Sequence, residues 1–477
     1  MLLYAAILLP VAAGAVLPLL RCENGKQRAV YVSAVTLSAS LLTVLTLLWE
    51  RDAPHIAAEI LPGLRLAFAA DGKSAVFAGL VSALWPLSTL YGFAYMEHEE
   101  REDRFFAWYC VSQGVTVAAA FAGNLFTLYL CYELLTLSTL PLVNHKDDAP
   151  SRRAGLQYAA WTVGGAALGF VALVGLLPYG GGESFRTGGI LALPAGDLPD
   201  ALPWLYMAAF LGFGVKAAVA PFCAWLPAAS VAPTPVTALL HAVAVVNTGA
   251  FAVMRVTDDV FGGELLFGAW PQTAALLISC ATILFGACMA VRERHLKRRL
   301  AWSTVSNLSY MLMGAALMTP AGIAGAMAHL VCHGLMKIVL FFCAGAFLVK
   351  TGKEYVQDLR GFGKVMPVTC ACFAFAAVAL TGTPPLCGFF SKWRLLTAAA
   401  AAGLPMGIAA VAVIIAAAVL TAVYVLSPVQ AMYFRPPNEG GALPEGAGDP
   451  DLRMLAPIGI ICAAVAVFGA AGYAILG

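Results

Sequence analysis

The feature that most constrains the fold is a succession of long apolar runs separated by short polar breaks. A helix needs about 20 predominantly apolar residues to cross the hydrocarbon core of a bilayer, and such runs recur along the whole chain. Of the residues, 61% are hydrophobic and only 11% are charged, against about 25% charged residues in soluble domains. The chain is therefore predicted to be an all-α integral membrane protein with one polytopic domain over residues 1–477.

Apolar windows between charged or Gly/Pro breaks predict about fourteen transmembrane helices. The first window follows Met1 without a basic segment, which is typical of an uncleaved first span rather than of a signal peptide. The predicted spans lie near residues 2–20, 29–49, 72–95, 105–122, 124–143, 154–178, 200–224, 234–255, 265–291, 300–318, 321–349, 365–400, 404–434 and 453–476.

Lysine and arginine residues are distributed unequally between the loops. When alternate loops are assigned to opposite sides of the membrane, one side receives only Arg51, Arg65, Arg186 and Arg255. The other side receives Arg21, Lys26, Arg28, Arg101, Arg104, Lys146, Arg152, Arg153, Arg292, Arg294, Lys297, Arg298, Arg299, Lys350, Lys353, Arg360, Lys364, Arg435 and Arg453. Cytoplasmic loops carry the excess of basic residues, so we predict that the richer side is cytoplasmic and that both termini lie outside.

Four ionisable residues fall deep inside apolar runs: Glu133, Lys216, Lys337 and Lys392. A charge at the centre of a spanning helix costs roughly 2.5–3.5 kcal/mol on insertion scales. Such residues normally face the interior of a helix bundle or a wet cavity through which ions or protons move. The four residues therefore indicate a transporter of small cations, most simply of protons.

Two of the predicted helices contain prolines close to their lysines. Lys216 comes five residues before Pro221, and Lys392 follows the pair Pro384 and Pro385. A proline removes a backbone donor and opens the helix, and open backbone at membrane depth survives only when it is buried in protein or lines water. Paired broken helices in two halves of a chain indicate inverted repeats with the transport path between them. A kink that serves packing alone is the alternative.

Two histidines and a lysine stand at i, i+4 and i+8 of one predicted helix: His329, His333 and Lys337. Four residues advance a helix by about 400°, so the three side chains share one face and extend over about 12 Å of its axis. A neutral imidazole can both donate and accept a proton, which makes a relay along this face the functional interpretation. Histidines that are satisfied within the core are the structural alternative.

His241 follows a Pro-rich turn and precedes Asn247 by six residues. A relay role for His241 and a structural hydrogen bond that closes the turn are both compatible with its position. The polar side chains after the basic segment 292–299 could carry hydrogen-bonded water, but serine and threonine are ordinary in membrane helices. The acidic stretch 97–103 is interpreted as a solvated loop, with docking of a partner as the alternative.

Cysteines and glycines give no sign of a cofactor. The 12 cysteines are scattered, and the close pair Cys370 and Cys372 lacks the spacing of a zinc or iron–sulfur site. Gly212 and Gly214 lack the strand–helix setting of a dinucleotide-binding fingerprint. A formal charge of +2 gives no indication of nucleic-acid binding. No cofactor, no metal and no nucleic-acid partner is therefore predicted, and any redox chemistry would belong to partner subunits.

Five sequence features occur in the order that is typical of one membrane-protein family. They are Glu133 in its apolar run, GFGVKAAVAPFCAWLPAASVAPTPVTALLHA, LKRRLAWSTVSNLSYM, HLVCHGLMKIVLFFCAGA and GTPPLCGFFSKW. From about Asp71 to Tyr433 the chain resembles the antiporter-like subunits shared by respiratory complex I, Mrp-type multisubunit Na⁺/H⁺ antiporters and membrane-bound hydrogenases.

The resemblance implies fourteen helices and two inverted five-helix repeats, each with a broken helix and a half-channel. On that pattern the chain divides into N-terminal helices (1–104), a first repeat (105–255), a second repeat (256–434), and a C-terminal loop and helix (435–477).

The resemblance also implies roles for the deep polar residues. Glu133 and Lys216 resemble the acid and base of the first repeat. Lys337 and Lys392 resemble the basic relays of the second repeat. His329 and His333 resemble the file that connects them.

Two asparagines depart from the family pattern. Asn247 stands where members usually have lysine or histidine, and Asn307 stands where some have histidine. An amide cannot take up a proton at ordinary pH, so transfer past Asn247 would have to use water or His241.

These features predict a proton-translocating subunit of a multisubunit redox-driven pump or cation/proton antiporter in a bacterial or archaeal cytoplasmic membrane. Its expected partners are the other membrane subunits of a complex I-like, hydrogenase-like or Mrp-type assembly, membrane lipid, and the transported H⁺. One alternative is a scaffold that kept the fold and lost conduction, which Asn247 suggests. Another is Na⁺/H⁺ exchange, for which the sequence offers no carboxylate-rich deep site beyond Glu133.

Overall fold

A computed structural model of the chain describes residues 1–20, 22, 24–51, 54–61, 64–97, 99–192, 198–437 and 447–476. The chain is mostly helical (77%), and within the described residues ten helices are long and apolar enough to cross a membrane. At this level the predicted all-α membrane fold is confirmed. The ten helices are Leu2–Leu19, Gly25–Trp49, Gly72–Met96, Leu125–Val143, Ala149–Tyr179, Thr234–Phe261, Trp270–Arg292, Pro320–Thr351, Pro405–Phe434 and Leu452–Gly472.

Polar caps fix the starts of several helices. The side chains of Asn24, Asp71, Asn124, Asp148 and Thr319 each accept a hydrogen bond from a backbone N–H of the following first turn. Each cap satisfies one of the four donors that a helix leaves unpaired at its start. In chain order the α-helices are α1 Leu2–Val16, α2 Gly25–Trp49, α3 Gly72–Met96, α4 Glu102–Ala120, α5 Leu125–Val143, α6 Ala149–Leu176, α7 Ala201–Gly214, α8 Trp225–Ala228, α9 Thr234–Ala242, α10 Val245–Arg255, α11 Trp270–Arg292, α12 Leu296–Ala316, α13 Pro320–Thr351, α14 Phe362–Val365, α15 Pro367–Thr381, α16 Cys387–Ala401, α17 Pro405–Phe434 and α18 Leu452–Leu476.

Short turns of other helical types extend or connect these helices. A π-helical turn, Val256–Phe261, continues α10. The 3₁₀ turns are Leu17–Leu19, Leu177–Tyr179, Ala229–Val231 and Val356–Leu359.

A two-stranded antiparallel hairpin, which the sequence did not indicate, lies between α2 and α3. Its strands are β1 His55–Leu61 and β2 Leu64–Phe68, with His55 opposite Phe68. The backbone N–H of Ala67 donates to Thr127 Oγ1 at 2.8 Å, and its carbonyl accepts from the N–H of Gly123 at 2.9 Å. The hairpin therefore closes over the start of α5.

The centre of the bundle is formed by α9, α10 and α13. The most apolar windows of Thr234–Phe261 and Pro320–Thr351 are 100% and 94% buried, against 33–61% in the other eight candidate spans of the described chain. Helix α13 packs against α3, α9, α12, α15, α16 and α18. The hydroxyl of Tyr91 donates to the Phe342 carbonyl at 2.8 Å, and the two rings stack at 3.9 Å, which ties α3 to α13.

The two proline-associated interruptions are present in the structure. Helix α7 ends at Gly214, and an irregular segment leads to α8 at Trp225. Helix α15 ends at Thr381, where Gly382 adopts a φ of 93°, and α16 begins at Cys387. The prolines remove backbone donors from both segments, and Ala218 in the first segment adopts a φ of 53°, so neither segment forms a regular helix.

A third interruption contradicts the predicted continuous helix over 234–255. Helix α9 ends at Ala242 and α10 begins at Val245, with φ/ψ of −133°/−59° at Val243 and −81°/−83° at Ala244. The break has no proline or glycine of its own, so hydropathy and breaker residues offered no signal for it.

The loops fall into two groups that meet at opposite ends of the bundle. At the end that we call the basic end, two ion pairs join the segments 97–104 and 144–148: Lys146 to Glu99 at 3.3 Å and Arg101 to Asp147 at 3.3 Å. A contact of 3.6 Å between His295 and Glu354 joins the segments 293–299 and 353–356, and Lys146 lies within electrostatic range of Glu354. At the opposite end, backbone hydrogen bonds join Phe185 to Gly123 at 2.8 Å, Gly188 to Asp258 at 3.1 Å and Ile190 to Val260 at 3.0 Å. The acidic stretch interpreted as a solvated loop is thus partly engaged in ion pairs, although His98 within it lies outside the described residues.

Candidate functional site

Glu133 on α5 and Lys216 in the segment after α7 form an ion pair. Glu133 Oε1 lies 3.9 Å from Lys216 Nζ, and the side chain of Lys216 is fully buried, whereas that of Glu133 is 24% exposed. The Lys216 ammonium also donates to the Tyr132 carbonyl and lies 3.5 Å from the centroid of the Tyr132 ring. Within the described residues Glu133 Oε1 accepts no hydrogen bond, so the attraction to Lys216 is the stabilising contact found for this oxygen.

The broken segment that carries Lys216 is held by side chains from other helices. Trp225 Nε1 donates to the carbonyl of Val215 at 3.0 Å, and the N–H of Ala220 donates to Thr282 Oγ1 at 3.1 Å. A Cβ at Gly249 of α10 would lie only 2.5 Å from the backbone of this segment. The missing Cβ lets α10 approach the break, and the open backbone is satisfied by protein groups rather than by lipid.

Lys337 lies at the centre of the bundle on α13. Its side chain is fully buried, and its Nζ donates to the Leu300 carbonyl at 2.8 Å and to Ser303 Oγ. Neither partner is charged, and no carboxylate of the described chain lies within 4 Å of this Nζ. A buried ammonium without a counter-charge is poorly stabilised, which suits a group that passes its proton on.

Lys392 occupies the second broken helix. Its Nζ donates to the carbonyls of Leu380 at 2.7 Å and Thr381 at 3.4 Å, which are the last residues of α15. It also lies 5.6 Å from the centroid of the Tyr310 ring. The interruption after α15 therefore supplies the carbonyl groups that receive the lysine, as unwound backbone does in transporters.

The two histidines of α13 lie between these lysines. The ring centroids of His329 and His333 are 6.2 Å apart, and both side chains are fully buried. His329 Nδ1 shares a hydrogen bond of 2.9 Å with Ser391 Oγ, and Ser391 is the neighbour of Lys392 in α16. The predicted one-face arrangement thus places a series of buried polar side chains between Lys337 and Lys392, with one direct hydrogen bond in it, from His329 to Ser391.

Several nitrogen atoms in this series have no hydrogen-bond partner among the described residues. They are His329 Nε2, both ring nitrogens of His333 and both ring nitrogens of His241. Buried polar groups without protein partners are commonly completed by ordered water, and each water typically makes about three hydrogen bonds. These histidines therefore mark positions where water would link the side chains.

His241 and Asn247 flank the third interruption. Asn247 Nδ2 donates to the Ala242 carbonyl at 2.8 Å, which caps the end of α9, and its Oδ1 has no partner among the described residues. His241 packs against Phe341 with a centroid distance of 4.9 Å and lies within electrostatic range of Lys337. His241 therefore belongs to the cluster around α13, and Asn247 has a structural role in the break.

The predicted site residues form two groups in the structure. Glu133 and Lys216 form the first group, whereas Lys337, Lys392, His329, His333 and His241 form the second. In the described chain no hydrogen bond joins Lys216 to Asn247 or to His241. The same residues contain no cluster of three or more His, Cys, Asp or Glu side chains that could hold a metal ion.

Sequence reasoning missed three buried basic residues by assigning them to loops. Arg255 is 1% exposed and bonds Asp71 at 2.6 Å and Asp259 at 2.7 Å. Lys297 is 6% exposed, and Arg299 is 8% exposed with a bond of 3.2 Å to the Tyr424 carbonyl. Each stands at a helix end beside polar residues, so hydropathy alone placed it outside the bundle.

Comparison with known proteins supplies the context of this site. A family model described as "NADH:quinone oxidoreductase/Mrp antiporter, TM" matches residues 122–421. NADH-quinone oxidoreductase subunit N of Desulforudis audaxviator (strain MP104C) is 33% identical over 383 residues, which are 77% of this chain and 74% of that protein. A probable K(+)/H(+) antiporter A/B polypeptide of Rhizobium meliloti (strain 1021) is 31% identical over 415 residues, which are 85% of this chain and 40% of that protein.

The chain therefore spans less than half the length of the second relative. Among solved structures, a chain of the membrane-bound sulfane sulfur reductase (MBS), an archaeal respiratory membrane complex, superposes with a TM-score of 0.85. The match covers 98% of this chain and 94% of that chain at 21% identity, which establishes a common fold.

Proposed function

Since the chain belongs to the NADH:quinone oxidoreductase/Mrp antiporter transmembrane family, we propose that it is a proton-translocating subunit of a multisubunit redox-driven pump or cation/proton antiporter. The observation that carries the proposal is the buried series from Lys337 through His333 and His329 to Ser391 and Lys392. Titratable groups at this spacing can exchange protons along a helix face, whereas a purely structural core would favour apolar side chains.

The first step in this proposal is a change in the separation of Glu133 and Lys216. At 3.9 Å the attraction between unit charges is about 4 kcal/mol at an effective dielectric constant of 20. A proton that crosses a potential of 100 mV requires about 2.3 kcal/mol. Partial separation of the pair therefore changes the energy of the Lys216 proton by as much as transport needs.

The part of Glu133 that remains exposed gives a partner access to this pair. A neighbouring membrane subunit that contacts α5 at Glu133 could attract or repel the carboxylate and so set its distance from Lys216. The redox chemistry, or the counter-transport of a cation, would take place in other subunits, with this chain supplying the proton path.

Transfer between the two groups passes the third interruption. Asn247 cannot carry the proton, because its amide does not titrate and its Nδ2 is engaged with Ala242. His241 and water that reaches its unpartnered nitrogens supply the connection in this proposal. From His241 the proton continues to Lys337 and along α13 to Lys392.

We extend the proposal to fourteen helices that form two inverted repeats, 105–255 and 256–434. Helices α4 and α12 would complete the ten apolar spans together with the two broken helices, α7 with its following segment and α15 with α16. The lysine-bearing breaks after α7 and α15 would then occupy corresponding positions in the two repeats.

The loop groups support a proposed orientation in the membrane. The basic end would face the cytoplasm of a bacterium or archaeon, and both termini would lie outside. Contacts such as Lys146 to Glu99 and His295 to Glu354 support the assignment of these loops to one side.

The experiment uses the assembled complex in proteoliposomes. Glu133→Gln and Lys216→Ala are expected to abolish proton translocation while the partner reaction continues, and Lys364→Met, which removes an exposed lysine, is the control. Translocation at the wild-type level in both site variants would overturn the proposal. Parallel measurements under imposed Na⁺ and pH gradients distinguish proton pumping from Na⁺/H⁺ exchange.

A scaffold without conduction is the second candidate, and the engagement of Asn247 as a backbone cap favours it. Asn247→Lys separates the two functions. A gain of proton flux would mean that the native file is blocked at this residue, and unchanged flux would mean that His241 and water already bridge it.

A further inference from the structure

Lys297, the second residue of α12, lies between the surface of the basic end and the centre of the bundle. Its side chain is buried, although the residues on either side of it in sequence belong to a strongly basic segment. Within the described chain Nζ donates one hydrogen bond, to the Ala232 carbonyl in the turn before α9, at 3.3 Å. An ammonium group has three donors, so this lysine has unused capacity for water or for a transferable proton.

Lys297 differs from two other basic residues at this end, which are paired with carboxylates. Lys146 pairs with Glu99 at 3.3 Å, and Arg28 pairs with Asp103 at 2.8 Å. No carboxylate of the described residues lies within 4 Å of Lys297 Nζ. A lysine that served only to anchor α12 would be expected to have such a partner, because an unpaired buried charge is costly.

Charged groups of the basic end lie in the neighbourhood of Lys297. Glu354, Lys146 and Glu99 all lie within electrostatic range of it. Glu99 and Lys146 line a surface cavity of about 360 Å³, together with His145. The cavity is therefore open to bulk water beside two charged groups, Glu99 and Lys146, that lie within electrostatic range of Lys297.

One histidine of the buried series around α13 also lies in the neighbourhood of Lys297. His241, whose ring nitrogens are both unpartnered among the described residues, lies within electrostatic range of Lys297 as well as of Lys337. Ser230 Oγ, in the turn that precedes Ala232, is also buried without a partner in the described chain. Unsatisfied buried atoms at these positions are places where water can complete a path between the two basic residues.

We propose that Lys297 is a second proton-loading residue, which accepts protons from the surface cavity lined by Glu99 and Lys146 and delivers them to His241, the same histidine that receives the proton of Lys216. This inference rests on the proposed function of the chain. In each cycle an N–H bond of the Lys297 ammonium breaks and a bond to a neutral His241 nitrogen forms, directly or through water. The free amine of Lys297 then regains a proton that the water of the cavity carries in from the bulk, so water is not consumed and no other reactant is needed.

The test compares four variants of the assembled complex in proteoliposomes. Lys297→Met removes the proton carrier, and Lys297→Arg keeps the charge and a donor for the Ala232 carbonyl but cannot release a proton at ordinary pH. Lys337→Met tests whether protons pass through the buried series of side chains around α13. Arg298→Met removes an exposed charge from the neighbouring position and is the matched control.

Both Lys297 variants are expected to lower the rate of proton translocation by roughly a hundredfold, which is the lower limit for removal of a positioned proton-transfer group, with Arg298→Met close to wild type. Wild-type translocation by Lys297→Arg would overturn the inference, because charge alone would then suffice. The Lys297→Arg variant also tests the inference if the complex with Lys297→Met fails to assemble. Wild-type proton translocation by Lys297→Met, together with loss of translocation in Lys337→Met, would refute only the loading role of Lys297. Wild-type proton translocation by both variants would refute the proposed function of the chain.

Discussion

Arg255 is the residue whose loss we expect to destabilise the bundle most directly. It joins the end of α10 to the start of α3 through Asp71 at 2.6 Å and Ser74 Oγ at 2.8 Å, and it also holds Asp259 at 2.7 Å. Lys73 donates to Asp259 from the other side. Arg255→Leu would remove the central cation and leave two carboxylates facing each other near a buried helix end.

The size of the expected loss of stability depends on the partners that each carboxylate keeps after Arg255 is removed. Breaking a buried ion pair by removing one partner costs about 3–5 kcal/mol. Asp259 keeps Lys73, and Asp71 is 30% exposed and keeps the Ser74 N–H at 2.9 Å, so both are partly compensated. We therefore expect Arg255→Leu to lower the free energy of unfolding by about 3 kcal/mol, at the lower end of that range.

The assay is denaturant unfolding of the purified protein in detergent, with Arg65→Leu as the control. Arg65 is 48% exposed and lies 3.8 Å from Glu59, which is 49% exposed, so its loss should change the free energy of unfolding by less than about 0.5 kcal/mol. Arg255→Lys should give an intermediate loss, because a lysine lacks the planar fork that serves two carboxylates. A loss in Arg255→Leu no larger than in Arg65→Leu would refute this account of the cluster.

Three further predictions concern packing, capping and acid stability. Gly249→Val should lower the free energy of unfolding by about 1–3 kcal/mol, because its Cβ would lie 2.5 Å from the Ala217 nitrogen. Gly79→Ala is the control and should leave the free energy of unfolding unchanged, because its Cβ would meet nothing within 4 Å. Equal stability of the two variants in thermal unfolding would contradict the prediction. Asn247→Leu should cost about 1–3 kcal/mol by leaving the Ala242 carbonyl without its donor, and an unchanged unfolding curve would show that the cap is dispensable. Burial raises the pKa of Asp71, but Arg255 and Ser74 outweigh burial and hold this pKa below its ordinary value, so its contribution to stability is complete above a pH of about 4 and is lost as the pH falls through the depressed pKa. The difference in stability between wild type and Asp71→Asn should therefore be constant near neutral pH and shrink in acid, and a difference independent of pH would contradict the role of Arg255.

The sequence was most informative where a residue type was costly in its surroundings. Lys216 and Lys392 stand out because charges and prolines in long apolar runs are expensive, and the structure places both at interruptions. The spacing of His329, His333 and Lys337 sufficed to predict a common face, because helix geometry is the same in every context. These inferences needed no knowledge of other helices.

The remaining features depend on contacts between distant segments. Lys297 and Arg255 lie at helix ends, where the sequence does not reveal whether a neighbouring turn or carboxylate covers them. The interruption after Ala242 contains neither proline nor glycine, and its carbonyl is satisfied by a side chain five residues later. The hairpin His55–Leu61 and Leu64–Phe68 depends on Thr127 and Gly123 beyond α3. In each of these cases the local structure depends on contacts with residues from other elements.

The most direct test of the central claim is proton translocation by the assembled complex carrying Lys337→Met, measured at the same turnover of the partner reaction as the wild type. Lys337 lies within electrostatic range of both His241 and His333, and its removal takes one lysine out of the series of titratable side chains that we assign across the described bundle. The account predicts that turnover continues without proton translocation through this subunit. An unchanged number of protons per turnover would contradict it.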